Sequence, residues 1–163
     1  MLAGHFEVEG AFLDQRYPEV LDDPDFRLIT FVRNPIEIPQ SMHFYARKNK
    51  PGYSVPSVSY RVANGRNVLA TLLRCDELNY REVIDRYFFV GSVERLQESL
   101  DVLADLLEKP PVKVPVLNSA PRDEVLTPEE EAQFLENNQL DDMIYRYCWD
   151  TFSSRLAEVR SAS

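Results

Sequence analysis

One run of seven residues constrains the fold more than any other part of this chain, Arg27-Leu28-Ile29-Thr30-Phe31-Val32-Arg33. It is a nearly unbroken apolar run rich in β-branched residues, which is typical of a strand covered on both faces of a sheet. Asn34 and Pro35 follow at once. Asn is a favoured N-cap and Pro is tolerated at the first helical position, so a helix is predicted from there to about Lys48. Pro39 removes a backbone donor inside it, and we expect a distorted first turn.

Strand and helix signals alternate along the rest of the chain. Tyr87 to Gly91 is predicted to be a second buried strand, and a loop is expected from Asn49 to Ser59. Further helices are predicted around Val68, Leu69, Leu72 and Leu73, over Glu77 to Arg86, over Val93 to Leu107, from the capping box at Thr127 to about Glu136, and over a last stretch from Leu140 to Val159. This alternation predicts one α/β domain over residues 1–163, a mainly parallel sheet flanked by helices.

Two strands are fewer than a sheet normally contains, and a parallel pair cannot cover itself. Short strands near Phe6 to Val8 and Val112 to Val116 would complete the sheet. The other interpretation is that part of the fold lies outside this chain.

Composition excludes several classes of protein. Lys and Arg number 18 against 27 Asp and Glu, and the net charge of −9 argues against a general nucleic-acid binder. The two cysteines, Cys75 and Cys148, form no disulfide framework and are expected to be buried thiols, and two histidines exclude a His-rich metal site. No apolar run approaches the roughly 20 residues of a membrane span, and no secretion signal opens the chain. We therefore expect a cytoplasmic protein without a membrane segment.

Arg33 and Ser41 are the residues with the clearest chemical potential. Ligands of open α/β sheets bind just beyond the carboxyl ends of the strands, and a helix N-terminus there favours anions through its free N–H groups. An arginine fork and a helical hydroxyl could hold one phosphate from two sides. The alternative is that Arg33 pairs with a carboxylate and that Ser41 is an ordinary helix serine.

Five stretches in this order resemble the sulfotransferase family, in its carbohydrate-type branch that includes the heparan 2-O-sulfotransferases. The first resembles the segment that binds a 3′-phosphate, and the third resembles a "Phe-Val-Gly-Leu-x-Glu-Arg-x-x-Glu-Ser-Leu" strand and helix closely. The stretches are Phe31 to Tyr45, Asn64 to Leu69, Tyr87 to Leu100, Leu117-Asn118 with Leu126 to Glu129, and Asn137 to Tyr147. The resemblance covers about Gly4 to Phe152.

The resemblance implies a P-loop-like fold and a donor, 3′-phosphoadenosine 5′-phosphosulfate (PAPS). Arg33 and Ser41 would hold the donor's 3′-phosphate, and the acceptor would be a hydroxyl, in this branch on a carbohydrate. The family's early Gly-His stretch matches Gly4-His5, which makes His5 the candidate catalytic base. A later cofactor-contacting loop falls at Asn118, Ser119 and Arg122.

Three departures from the family pattern lie at the start of the predicted helix. Asn34 stands where the family has Asp, Ile38 stands where it has Arg, and Pro39 follows. The family also begins with a strand and a loop of the type Lys-x-Gly-Gly-Thr-Ser that grips the 5′-phosphosulfate. No lysine of this chain lies in such a context, and we expect the sequence to start after that loop. The lysines are Lys48, Lys50, Lys109 and Lys113.

Two alternatives from other classes stay open. One is a non-catalytic nucleotide-binding or assembly module derived from a sulfotransferase, which would self-associate through an exposed sheet edge. The other is a different nucleotide-binding α/β protein such as a kinase relative, against which the missing phosphate loop also counts.

Overall fold

The computed structural model describes residues 12–49, 52, 54–114 and 126–162 of the chain. The described part contains both helices and strands, with a parallel pair of strands flanked by helices, which is compatible with the predicted α/β class. The elements in chain order are α1 (Leu13–Arg16), α2 (Glu19–Asp22), β1 (Ile29–Val32), α3 (Glu37–Asn49), α4 (Val58–Asn64), α5 (Val68–Leu73), α6 (Tyr80–Asp85), β2 (Phe89–Ser92), α7 (Leu96–Leu106), α8 (Pro128–Asn137) and α9 (Gln139–Ala162).

The described residues form one two-stranded parallel sheet, in which Ile29 pairs with Phe89 and Val32 with Ser92. Strand β1 lies inside the run predicted from sequence, β2 ends one residue beyond the predicted Gly91, and the parallel pairing is confirmed. The strand expected at Val112 to Val116 is absent from residues 112–114. The side-chain amide of Gln97 donates to the Val112 carbonyl at 3.0 Å and accepts from the Val114 N–H at 3.0 Å, so a side chain takes the place of a neighbouring strand. Phe6 to Val8 lie outside the described residues.

The two faces of the sheet pack against different helices because strand side chains alternate between faces. Val32 and Val90 belong to a cluster with α5, α6 and the first half of α9. Phe89 belongs to a second cluster with α7 and the second half of α9. A third cluster joins α4 to α8 and holds Val58, Val62, Leu126 and Phe134.

Gly91 is required by the way the two strands meet. It pairs with Phe31, and a Cβ at Gly91 would lie 2.7 Å from two carbons of the Phe31 ring. That ring also packs edge-on to Phe89 at a centroid distance of 6.0 Å. The glycine therefore lets an aromatic ring lie directly over the partner strand.

The helix predicted from Asn34 begins three residues later than expected, and an irregular turn takes the place of its first turn. The Glu37 and Ile38 N–H groups donate to the carbonyls of Asn34 and Pro35, three residues back, at 2.9 and 3.1 Å, so a tight turn precedes the helix. The regular helix begins only at Glu37. Pro39 then falls in the first turn, where a helix needs no donor from its own N–H.

Helix α4 was not predicted. The expected loop over Asn49 to Ser59 covers its first two residues, and no helix is predicted for the rest of it. Its N-cap is Ser57, whose hydroxyl accepts a hydrogen bond from the Tyr60 N–H at 3.1 Å. Pro51, Gly52 and Pro56 just before it gave the stronger loop signal.

The capping box of α8 is confirmed in both directions. The Thr127 hydroxyl accepts from the Glu130 N–H at 3.3 Å, and the Glu130 carboxylate accepts from the Thr127 N–H at 2.9 Å.

The start of α5 is fastened to α9 by a buried carboxylate. The two oxygens of Asp141 accept the Leu69 and Ala70 N–H groups, each at 2.9 Å. Asn67 before them adopts a left-handed backbone with φ of 44°, and its N–H donates to Asn138 Oδ1 at 2.7 Å. Asp141 and Asn138 are each 1% exposed. The helix start is therefore held in place by residues about 70 positions further along the chain.

Candidate anion-binding site

The end of β1 delivers Arg33 to the carboxyl edge of the sheet. Val32 is buried, and its carbonyl accepts a hydrogen bond from the Val93 N–H at 2.9 Å. Arg33 follows and is half-buried. Its side chain makes no hydrogen bond or ion pair with any residue that the structure describes, so the alternative of a carboxylate partner is not found there. The guanidinium keeps its donors available for an anion.

The backbone at the start of α3 offers fewer donors than the sequence analysis expects. Pro35 and Pro39 carry no N–H, and the N–H groups around them are paired inside the protein. The Asn34 N–H donates to Glu94 Oε1 at 2.6 Å, the Ile36 N–H to Asn34 Oδ1 at 3.2 Å, and the Glu37 and Ile38 N–H groups to backbone carbonyls. The expectation of free N–H groups at this helix start is therefore wrong. An anion at this edge would depend on side chains.

Glu94 connects the ends of both strands. Besides the Asn34 N–H, its carboxylate accepts the Ser92 hydroxyl at 2.7 Å and the Tyr145 hydroxyl at 3.5 Å. Burial, followed by the charge of Glu94 and its hydrogen bond, raises the pKa of Tyr145 to about 12. The carboxylate therefore fixes the two strand ends and holds the Tyr145 proton in place.

The outer edge of β2 is closed by side chains. The Ser92 N–H donates to Ser99 Oγ at 2.9 Å, and the Ser99 hydroxyl donates to the Ser92 carbonyl at 3.0 Å. Arg155 donates to the Phe88 carbonyl at 2.8 Å. Both serines are buried, so their pairing satisfies backbone groups that water cannot reach.

Ser41 and His43 lie on α3 beyond Arg33. Ser41 is half-buried in the second turn of α3. Neither Ser41 nor Arg33 lines the apolar cavity between α3, α4 and α8 that is described below. His43 is buried, its Nδ1 lies 2.8 Å from the Pro56 carbonyl, and its ring packs edge-on to Phe44. The His43 side chain is therefore part of the packed interior.

Four candidate residues lie outside the described part of the chain, and the structure says nothing about their placement. They are His5, Asn118, Ser119 and Arg122. Their roles stay predictions that follow from the resemblance alone.

Glu94 lies inside the stretch from Tyr87 to Leu100, and the sequence alone assigns it no role. Its contact with Asn34 spans 60 residues, so it follows only from the pairing of β1 with β2. The local signal was the acidic residue directly after a buried strand, at the edge where ligands of α/β sheets bind.

The two cysteines are free thiols in one core region. Cys148 is buried and Cys75 half-buried. Burial, with smaller contributions from Asp141 and Asp76, raises the pKa of Cys75 to about 11, and burial raises that of Cys148 to about 12. Thiols with such pKa values are poor nucleophiles near neutral pH. The described residues contain no group of three or more His, Cys, Asp or Glu side chains arranged to hold a metal ion.

Comparison with known proteins gives no relative. No family model matches the chain, and neither the curated proteins nor the solved structures yield a match. Within the described residues, no helix combines the length and the apolar character needed to cross a bilayer.

Proposed function

We propose that this chain is a sulfotransferase-like domain that binds PAPS, with a P-loop-like α/β fold and a cytoplasmic location. The observation that carries the proposal is the pairing of the two strand segments that resemble the family. Phe31 to Arg33 and Tyr87 to Gly91 contribute neighbouring parallel strands, and each strand leads into a helix at the same edge. That edge is where α/β proteins bind nucleotides.

The 3′-phosphate would be held by side chains. Arg33 supplies an uncommitted guanidinium directly after β1, and Ser41 supplies a hydroxyl one turn after the start of α3. The N–H groups of that helix are already paired, so the arginine fork provides most of the binding free energy. Glu94 keeps the strand end in the position from which Arg33 projects.

The reaction would be an in-line sulfuryl transfer. An oxygen of the acceptor hydroxyl forms a bond to sulfur while the bond from sulfur to the 5′-phosphate oxygen breaks, and 3′-phosphoadenosine 5′-phosphate leaves. A base removes the acceptor proton, a role for which His5 is the candidate. The acceptor class implied by the resemblance is a carbohydrate hydroxyl.

Donor binding is the part of the function that we assign to these residues. The sequence contains no Gly-rich loop with a lysine that would stabilise the transferring group. The proposal that the chain binds the donor therefore does not include catalysis by these 163 residues alone.

Calorimetric titration with 3′-phosphoadenosine 5′-phosphate tests the proposal. Charge-assisted hydrogen bonds contribute roughly 1.5–3 kcal/mol, so Arg33→Ala should weaken binding about tenfold to a hundredfold. Ser41→Ala should cost about fivefold. Arg27→Ala is the matched control, since Arg27 precedes the same strand but stacks on the Phe88 ring at 4.7 Å. It should leave the affinity within about twofold.

Two results would contradict the proposal. One is a wild-type chain that does not bind the nucleotide at millimolar concentration. The other is equal affinity of the Arg33 and Arg27 variants.

The alternative of an assembly module is favoured by one observation, the open edge of β1. The Phe89 N–H donates to the Leu28 carbonyl and the Val93 N–H to that of Val32, so the N–H and C=O groups of Ile29 and Phe31 point away from β2. They form no hydrogen bond with the residues that the structure describes. An edge of this kind accepts a strand from another chain.

Light scattering after gel filtration tests this alternative. Ile29→Pro removes an outward N–H at the first strand position, where proline is tolerated, and Ile29→Ala is the control that keeps it. A dimer lost only in the proline variant supports edge pairing. Antiparallel pairing of two copies about Thr30 would place Arg27 opposite Arg33 of the other copy, so such a dimer should strengthen with salt. A monomer at all concentrations would exclude self-association.

A further inference from the structure

A separate cavity of about 230 Å³ lies between α3, α4, α8 and the starts of α5 and α9. Its walls are mainly apolar, and large side chains stand at its mouth, where Met42 is 48% exposed and Tyr60 58% exposed. Ile38 and Phe134 also line it. A dry cavity of about 150 Å³ suffices for benzene, so this volume accommodates one or two fused rings.

One cation in this cavity has no counter-ion. Arg61 lines the wall and is half-buried, and its guanidinium makes no hydrogen bond or ion pair with any described residue. Its Nε atom is buried without an acceptor. A buried donor without an acceptor is costly, and an anion that bonds the guanidinium would remove that cost. The two terminal nitrogens remain available as donors among the described residues.

The other charged residue of the cavity does not neutralise Arg61. Both oxygens of Asp141 are used by the Leu69 and Ala70 N–H groups, and no ion pair joins Asp141 to Arg61. The cavity thus combines an apolar body with a single uncommitted positive charge.

We propose that this cavity binds a small aromatic monoanion. The ring would lie against Ile38, Met42 and Phe134, and the carboxylate or sulfonate head would pair with the Arg61 guanidinium. One guanidinium balances one negative charge, which favours a monoanion over a nucleotide. This inference does not depend on donor binding at Arg33, because it uses no residue of that site.

Titration of the whole chain with 2-naphthoate, followed by ¹H–¹⁵N NMR, tests the site. A ligand of this size should bind with a Kd on the order of 1 mM or tighter, with the largest shifts along α3, α4 and α8. Removal of the charge partner in Arg61→Gln should weaken binding about tenfold. Arg146→Gln is the control, since Arg146 is exposed on α9 and pairs only with Asp142 one turn away, and its affinity should stay within about twofold.

Two further arms keep the inference falsifiable if Arg61→Gln fails to fold. The neutral 2-naphthamide should bind the wild type about tenfold more weakly than the acid. Met42→Trp, a change at the exposed mouth, should block entry of the ring. Equal binding of acid and amide, shifts located away from the cavity, or no shift at 10 mM would each overturn the proposal. So would a dimer in which a second copy covers the cavity and excludes the acid.

Discussion

Glu94 and Asp141 perform the same task in two different environments. Each carboxylate accepts backbone N–H donors at the start of a helix 60 or more residues away in sequence. Glu94 accepts one before α3, and Asp141 accepts two at α5. Asp141 is 1% exposed, whereas Glu94 is open to water. Because an unsatisfied N–H group is costly only where water cannot reach it, we expect the buried Asp141 to contribute much more to stability than the exposed Glu94.

The largest effect is expected for Asp141→Ala. It leaves two buried N–H groups without acceptors, and each unsatisfied group costs about 1–3 kcal/mol, so we expect a loss of about 3 kcal/mol or more. Urea unfolding measures it. Asp142→Ala is the matched control, because Asp142 makes a surface pair with Arg146 at 2.8 Å that is worth at most about 0.5 kcal/mol. Equal losses in both variants would break the comparison.

Ser99→Ala tests whether a buried neutral side chain contributes to the free energy of unfolding as a buried carboxylate does. Ser99 is a buried neutral residue, and its hydroxyl serves both backbone groups of Ser92. We expect a loss of about 2 kcal/mol, between the two carboxylates, because two buried groups lose a neutral partner. Ser154→Ala, on the exposed face of α9, should change the free energy of unfolding by less than about 0.5 kcal/mol. A Ser99 variant as stable as the Ser154 variant would show that water reaches the edge of β2.

Glu94→Ala should cost less than about 1 kcal/mol, because water can replace the carboxylate at the Asn34 N–H. The same variant should lower the pKa of Tyr145 from about 12, since the charge of Glu94 and its hydrogen bond add to the effect of burial. NMR titration of the labelled tyrosine ring measures that pKa. An unchanged value would mean that burial alone sets it.

The smallest effects concern pH. Burial raises the pKa of Asp141 above its ordinary 3.8, against the opposing backbone hydrogen bonds, so the folded state holds this proton more tightly. The wild type should therefore lose stability relative to Asp141→Asn as pH rises through the interval above 3.8. Arg95 lowers the pKa of Glu98 below its ordinary 4.5, first through their hydrogen bond.

For Glu98 the expected change of stability with pH has the opposite sign. The wild type should gain stability relative to Glu98→Gln as pH rises toward 4.5, and lose that gain as pH falls through the lowered value. Urea midpoints at several pH values measure both slopes. If stability relative to the two variants changed with pH in the same direction, the opposite pKa shifts of Asp141 and Glu98 would be contradicted.

The parts of the fold that sequence predicts are those encoded locally. The capping box at Thr127 lies within four residues, and the apolar run of β1 needs no partner to be recognised. Asp141 and Glu94 escape such analysis because their partners lie 60 to 72 residues away. The unpaired state of Arg61 is likewise a property of the packed helices and has no signature in the neighbouring residues.

The candidate donor site also combines a feature encoded by neighbouring residues with one that depends on a contact distant in sequence. The position of Arg33 after a buried strand follows from sequence. The pairing of the N–H groups around Asn34 does not, because it depends on Glu94 reaching across from the second strand. The Asn34 side chain accepts the Ile36 N–H at 3.2 Å, a contact that an aspartate at this position could also make.

Helix α9 has 24 residues, about 36 Å of length, and joins both faces of the sheet. Its first half contributes Ile144 and Cys148 to one cluster, and its second half contributes Phe152 and Leu156 to the other. Neither side can open by itself without exposing part of this helix. Amide protons on opposite faces should therefore exchange with deuterium in one cooperative event, so that α9 ties two small cores into a single unfolding unit.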